Sequence, residues 1–73
     1  MADRLPQTTP RKMIQALQAL GFVIIRTRGS HVFLRRRDRE VLIAYHNREL
    51  TRALLFSILK RAGLTIEDVG LYL

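Results

Sequence analysis

Two histidines and a group of arginines are the residues of this chain that could perform acid–base chemistry. His31 follows the dipeptide Gly29-Ser30, and His46 lies further along the chain. Imidazole, with an ordinary pKa of about 6.5, can accept or donate a proton near neutral pH. Guanidinium groups can stabilise the charge that develops on a phosphate during RNA cleavage. His31 is the candidate catalytic residue, although a histidine after a turn is also common as a plain surface residue.

Such a set could cleave RNA without a metal. One group would take the proton of a ribose 2′-hydroxyl, and a second group would protonate the leaving 5′-oxygen. Arg26, Arg28 and Arg35 are the candidate phosphate contacts, because the planar guanidinium group matches phosphate oxygens. Phe33 could stack on a base, although an aromatic residue in a strand more often serves packing.

The segments around Gly29-Ser30 have the composition of β-strands. Residues 22–28 and 31–36 are rich in β-branched and aromatic side chains, and Gly-Ser is suited to a two-residue hairpin loop that positions His31. The cross-strand pairs that this loop predicts are Arg28 with His31, Arg26 with Phe33, and Ile24 with Arg35. Alternation then puts Arg26, Arg28, His31, Phe33 and Arg35 on one face, and Val23, Ile25, Thr27, Val32 and Leu34 on the other. The first face is predicted to be basic and exposed, and the second to be core.

A third strand is predicted over about residues 40–46, after a turn within residues 37–39. Any turn of even length places Leu42, Ala44 and His46 on the same face as His31. If the loop is Asp38-Arg39, the two histidines lie directly opposite each other. His46 is thus expected to contact RNA, either as a second catalytic group or in a structural role.

Helices are predicted on both sides of the sheet segments. Thr9 and Pro10 start the first helix, Gly21 ends it, and the second runs from Thr51 to Gly63. The buried stripe predicted for the second helix consists of Leu54, Leu55, Ile58, Leu59 and Ala62. Thr65 and Asp68 resemble a capping box before a short last helix over residues 69–73. We expect a flexible tail at 1–8 and one α+β domain at 9–73, with order α-β-β-β-α and helices on one face of a three-stranded antiparallel sheet.

The charge of the chain favours a polyanionic partner. It has 73 residues and a net charge of +7, and eleven of its thirteen basic residues are arginine. A basic surface most often binds nucleic acid, although it can also be a solvated face that keeps a protein soluble.

Several classes of protein are disfavoured by composition. The chain has no cysteine, which rules out disulfides and thiolate zinc sites. Its six acidic residues are scattered, so a two-metal nuclease is not expected, and zinc held by His31 and His46 would lack a third ligand. No cofactor is therefore predicted. With neither a membrane span nor a secretory signal in view, we expect a cytoplasmic protein.

From Pro10 onward the chain resembles the HicA (YcfA-like) toxins of toxin–antitoxin systems. The residues that carry the resemblance are Leu20-Gly21-Phe22, the segment 26–31 ending in Gly29-Ser30-His31, the third strand ending at His46, Glu49-Leu50, and the segment 57–65. Ala53-Leu54 departs from the glycine-threonine pair usual at the second helix, and Tyr45 stands where proline is common. Both departures lie away from His31 in the sequence.

The resemblance implies a fold like that of double-stranded-RNA-binding domains and metal-independent cleavage of mRNA. It also implies that His31 is the catalytic residue and that a HicB antitoxin covers the site. A non-catalytic RNA-binding module that uses the same basic face is the alternative. A DNA-binding repressor is less favoured, because neither helix presents a basic polar row suited to the major groove.

Overall fold

The computed structural model describes residues 8–46 and 48–73 as three helices and three strands. In chain order they are α1 (Pro10–Ala19), β1 (Val23–Arg28), β2 (His31–Arg36), β3 (Arg39–Ala44), α2 (Arg52–Ala62) and α3 (Ile66–Gly70). The predicted α+β class and the order α-β-β-β-α are confirmed. Over these described ranges no helix has the length and apolar character needed to span a bilayer.

The start of the described chain is tied to the domain. The tail predicted for residues 1–8 lies outside the described residues except for Thr8. Thr8 is buried, and its carbonyl accepts a hydrogen bond from the Leu50 N–H at 2.8 Å. Thr8 therefore belongs to the folded domain rather than to a tail.

Local capping explains both ends of α1. The Thr9 hydroxyl accepts from the Lys12 N–H at 3.3 Å, as the sequence predicts for an N-cap. At the other end Gly21 has a φ of +102°, and the Phe22 N–H donates to the Leu17 carbonyl at 2.9 Å. This pattern closes the helix with a left-handed glycine one residue beyond the cap.

The two C-terminal helices also begin and end at their capping residues. Thr51 caps α2, and Gly63, with a φ of +72°, ends it. Thr65 and Asp68 form the predicted capping box, in which the Asp68 carboxylate accepts from the Thr65 N–H at 2.8 Å. The last helix nevertheless spans Ile66–Gly70 rather than residues 69–73, because the capping box fixes its start directly after Thr65.

The strands form one antiparallel sheet of order β1-β2-β3, with an irregularity in β1. Arg28 pairs with His31 and Arg26 with Phe33, as predicted, but the register shifts at Ile25. Ile24 therefore pairs with Leu34, and the predicted pair of Ile24 with Arg35 is wrong. Such a bulge puts one extra residue in β1 and reverses which face the residues before it occupy.

The core lies between the helices and one face of β2 and β3. Val32 pairs with Ile43 and Leu34 with Val41, and these four side chains are buried. The other buried apolar residues of the core are Met13, Ile14, Ala16, Leu17, Phe22, Leu55, Ile58, Leu59, Ala62 and Val69. The opposite face of the sheet carries no helix among the described residues, which leaves it open to a ligand.

Four side chains predicted to be buried are exposed, namely Val23, Ile25, Thr27 and Leu54. Every residue of the edge strand β1 is exposed, Ile25 to 41%. Alternation along β1 predicts Val23 on the core face. Because of the bulge, Val23 pairs instead with Arg35, and its side chain is 59% exposed. Leu54 belongs to the apolar stripe of α2, yet it is 42% exposed, because β3 is an edge strand and no further strand of the described residues covers this side chain.

Two of the central arginines bind helix ends. The Arg36 guanidinium donates to the Leu20 carbonyl at 2.7 Å and lies 5.1 Å from the centroid of the Phe22 ring. The Arg39 guanidinium donates to the Arg61 carbonyl at 3.3 Å. Both arginines stabilise carbonyl groups that the helices themselves leave without partners.

Candidate functional site

The turn at Gly29-Ser30 presents His31 to solvent at one end of the sheet. Gly29 has a φ of +56°, and nothing lies within 4 Å of where a Cβ would be. The backbone conformation, and not lack of space, thus favours glycine here. The Ser30 carbonyl accepts from the Tyr45 N–H at 2.6 Å, which ties the turn to the end of β3. His31 follows as the first residue of β2, and its side chain is exposed.

His31 occupies the middle strand, with a neighbour on either side. Arg28 is its partner on β1 and Ala44 its partner on β3. Directly opposed residues have Cβ atoms about 5 Å apart. Arg28 therefore lies directly across from His31 on the neighbouring strand. The small side chain of Ala44 leaves the other side uncovered.

Arg26 and Phe33 form a stacked pair on the same face. The guanidinium carbon of Arg26 lies 4.2 Å from the centroid of the half-buried Phe33 ring. This cation–π contact orders Arg26 and covers one side of the ring. The structure thus brings Arg26, Arg28, His31 and Phe33 together at one end of the sheet.

Arg35 belongs to the same face but lies further away. It is four residues beyond His31 on β2, a separation of about 13 Å along a strand. Its partner on β3 is Glu40, whose carboxylate faces the same side of the sheet. Arg35 is exposed and shares the face of His31, but the two residues are not neighbours.

His46 does not lie across the strand from His31. The loop between β2 and β3 is Arg37-Asp38 and not Asp38-Arg39, so the partner of His31 is Ala44. The loop has even length, and Leu42 and Ala44 share the face of His31 as predicted. β3 ends at Ala44 instead of reaching residue 46, and the exposed His46 ring accepts the Arg48 N–H at its Nδ1 at 3.1 Å.

A groove on the far edge of the sheet was not predicted. The groove lies between β3 and α2 and has a volume of about 390 Å³. Its lining residues include Phe33, Leu42, Leu54 and Arg61. The signal for it in the sequence is weak, because Leu54 fits the periodicity of a buried helix position. Only the position of β3 as an edge strand shows that Leu54 is exposed.

The arrangement of acidic and histidine residues offers no cluster of metal ligands. Across residues 8–46 and 48–73, no three side chains of the types His, Cys, Asp or Glu come close enough together to hold an ion.

The fold and the site define a small α+β domain with a basic, histidine-bearing sheet face. A sequence profile described as the HicA toxin of bacterial toxin–antitoxin systems matches residues 10–64, from the first residue of α1 to the residue after Gly63. The chain belongs to the HicA toxin family. A comparison with curated proteins finds no match.

Proposed function

We propose that this protein is the toxin of a toxin–antitoxin pair and that it cleaves mRNA in the cytoplasm, with His31 as the catalytic acid–base residue. The observation that carries this proposal is the position of His31. It is exposed on the helix-free face, beside Arg28 and next to the Arg26–Phe33 pair. Membership of the HicA toxin family supports the role of a toxin.

The reaction we propose is an internal transfer at phosphorus. His31 accepts the proton of the ribose 2′-hydroxyl, whose oxygen bonds to phosphorus while the bond to the 5′-oxygen breaks. No second histidine lies across the strand from His31. The leaving oxygen therefore takes a proton from a water molecule, which in turn takes the proton held by His31 and returns the imidazole to its starting state. Arg28 and Arg26 stabilise the negative charge of the pentacovalent intermediate. The products are a 2′,3′-cyclic phosphate and a 5′-hydroxyl.

The partner we propose is an acidic, HicB-like antitoxin that covers the same face. Arg26, Arg28 and His31 would attract acidic side chains, and the ring of Phe33 would supply apolar contact area. A nuclease with an exposed site requires such a blocking partner if the cell is to survive. Inhibition would then be direct competition with RNA.

A non-catalytic RNA-binding module is the second candidate function, and the stacked Arg26–Phe33 pair favours it to the same degree. The two candidates differ in one respect. A binding module protects RNA from other nucleases, whereas the proposed enzyme shortens RNA by itself.

The test compares wild-type protein with His31→Ala and with the matched variant His46→Ala. We expect His31→Ala to abolish cleavage of a purified RNA while circular dichroism and the melting temperature stay unchanged, because the exposed side chain leaves no cavity. His46→Ala should still cleave. Cleavage by His31→Ala would refute the catalytic assignment. RNA binding without cleavage by the wild-type protein would favour the binding module.

A further inference from the structure

An open cavity of about 450 Å³ lies between α1 and the chain that follows β3. The residues that line it are Thr9, Arg11, Lys12, Gln15, Tyr45 and His46. Three of these six side chains are basic, two others carry hydroxyl groups, one carries an amide, and none is a carboxylate. The volume falls within the range of small-ligand sites in proteins, and the lining suits an anion.

Hydrogen bonds fix both walls of this cavity. One wall is α1, whose start is tied to the chain before α2 by the bond from Leu50 to Thr8. Arg11, Lys12 and Gln15 share a side of this helix because residues three and four apart are neighbours on its surface. On the other wall, Tyr45 is bonded to Ser30, and His46 accepts from the Arg48 N–H.

The cavity adjoins the His31 end of the sheet. Ala44 lies opposite His31, and the cavity begins with the next residue, Tyr45. Successive residues in an extended chain are about 3.3 Å apart, so Tyr45 and His46 continue outward from the site. An RNA strand bound at His31 would pass around the end of β3 to reach Arg11 and Lys12 on α1.

We propose that this cavity binds a second phosphate of the RNA strand that is cleaved at His31, an inference that rests on the proposed function. Arg11 and Lys12 neutralise the phosphate, while Gln15 and the Tyr45 hydroxyl donate hydrogen bonds to its oxygens. Because Nδ1 of His46 accepts from the Arg48 N–H, the Nε2 atom is the one left to donate a hydrogen bond to the same anion. The cavity positions the strand and takes no part in the chemistry.

The test measures RNA binding in a His31→Ala background, in which the RNA stays intact. Oligouridine, as a dinucleotide and as an octanucleotide, is titrated at several salt concentrations against this protein with and without Arg11→Ala plus Lys12→Ala. The matched control is Arg37→Asn plus Lys60→Ala, which removes the same charge. Arg37 lies at the β2–β3 turn and Lys60 in the last turn of α2, and neither residue lines the cavity.

We expect the Arg11/Lys12 variant to bind the octanucleotide at least tenfold more weakly than its parent. The log–log salt slope should become shallower by about 0.7 for each phosphate that the variant no longer neutralises. The control should keep the parent slope, and the dinucleotide should bind both proteins alike. With an active His31, the Arg11/Lys12 variant should raise KM and leave kcat unchanged, and Arg11→Lys plus Lys12→Arg should restore KM.

Other outcomes would overturn the inference without touching the proposed function. If the salt slope of octanucleotide binding is unchanged in the Arg11/Lys12 variant, the cavity does not bind a phosphate. Loss of cleavage in His31→Ala would still support the proposed enzyme in that case. If that variant loses affinity only for the antitoxin, the cavity takes acidic protein side chains instead of RNA. Cleavage by His31→Ala itself would instead refute the proposed function.

Discussion

Arg26 lies over the ring of Phe33, its cross-strand partner, with 4.2 Å between the guanidinium carbon and the ring centroid. The contact gives a long, flexible side chain one preferred position on an exposed strand. A guanidinium group that is ordered before RNA arrives loses less conformational entropy when it binds a phosphate. In the proposed function, Phe33 would therefore contribute to RNA binding through Arg26 as well as through its own ring.

We expect Arg26→Ala and Phe33→Leu to be coupled in RNA binding. Because the ring orders the guanidinium, the two substitutions together should cost less than the sum of the single ones, by about 0.5–1 kcal/mol. A double-mutant cycle on RNA affinity in the His31→Ala protein measures this energy. The control cycle pairs Phe33→Leu with Arg35→Ala, which lies on a different cross-strand pair. Additive costs for Arg26 and Phe33 would show that the contact has no role in binding.

Cleavage should persist in excess EDTA, because the proposed reaction uses an imidazole and guanidinium groups. Mass spectrometry of the fragments should show 2′,3′-cyclic phosphate and 5′-hydroxyl ends. A 2′-deoxy residue at the cleaved position removes the nucleophile and should block the reaction. Metal dependence, or fragments with 5′-phosphate ends, would indicate attack by an activated water molecule and would contradict the mechanism.

Local capping signals were sufficient to predict most helix boundaries. Thr9, Thr51 and Gly63 each act on the few residues beside them, so their effect can be recognised in the sequence. The bulge at Ile25 has no such signal, since neither glycine nor proline marks it. The bulge could not be predicted from the sequence, and for that reason the face predicted for Val23 was wrong.

The prediction that His46 lies opposite His31 failed for a related reason. Arg37 is the first residue of the second hairpin loop and has a φ of +58°, a conformation in which glycine or asparagine is more common than arginine. No residue type in the sequence therefore marks Arg37 as the start of the loop. The predicted loop, Asp38-Arg39, begins one residue later than the observed loop, Arg37-Asp38. That difference changes the predicted cross-strand partner of His31 by two residues, from Ala44 to His46. Turn propensity alone therefore does not predict this register.

Gly29 and Gly63, two of the three glycines with positive φ, should differ in their response to alanine. Gly29→Ala adds a Cβ in open space, so it should lower the free energy of unfolding by only about 1 kcal/mol, the cost of the backbone conformation. At Gly63 an added Cβ lies 2.6 Å from the Arg39 guanidinium. That group must move and lose its bond to the Arg61 carbonyl, which should cost about 1 kcal/mol more.

Urea denaturation separates the two costs at Gly63. In an Arg39→Ala background the guanidinium is absent, so Gly63→Ala should cost no more than Gly29→Ala. An equal penalty for Gly63→Ala with and without Arg39 would show that the side chain does not restrict this position.

Arg36 should contribute to stability, and its neighbour Arg35 should not. Arg36→Ala removes the bond to the Leu20 carbonyl and the stacking on Phe22, and should lower the free energy of unfolding by about 2 kcal/mol. Arg35 is exposed on the opposite face, so Arg35→Ala should change stability by less than about 0.5 kcal/mol. Both variants lose one positive charge, and thermal or urea unfolding compares them directly. Equal effects would show that charge, and not the contact with α1, determines the result.

The antitoxin should bind over the face that carries His31. Phe33→Ala should weaken the complex by more than about 1 kcal/mol, because a large ring in the centre of an interface contributes more than its neighbours. Arg28→Glu should slow association by reversing a charge that attracts the acidic partner. Arg37→Glu makes the same change at the far end of β2 and should have a smaller effect.

Binding should also raise the melting temperature of the toxin by mass action. The measurements are titration calorimetry and stopped-flow association with the protein encoded beside this chain. If Phe33→Ala and Arg28→Glu both bind this partner like the wild type, the antitoxin lies elsewhere and inhibits without covering His31.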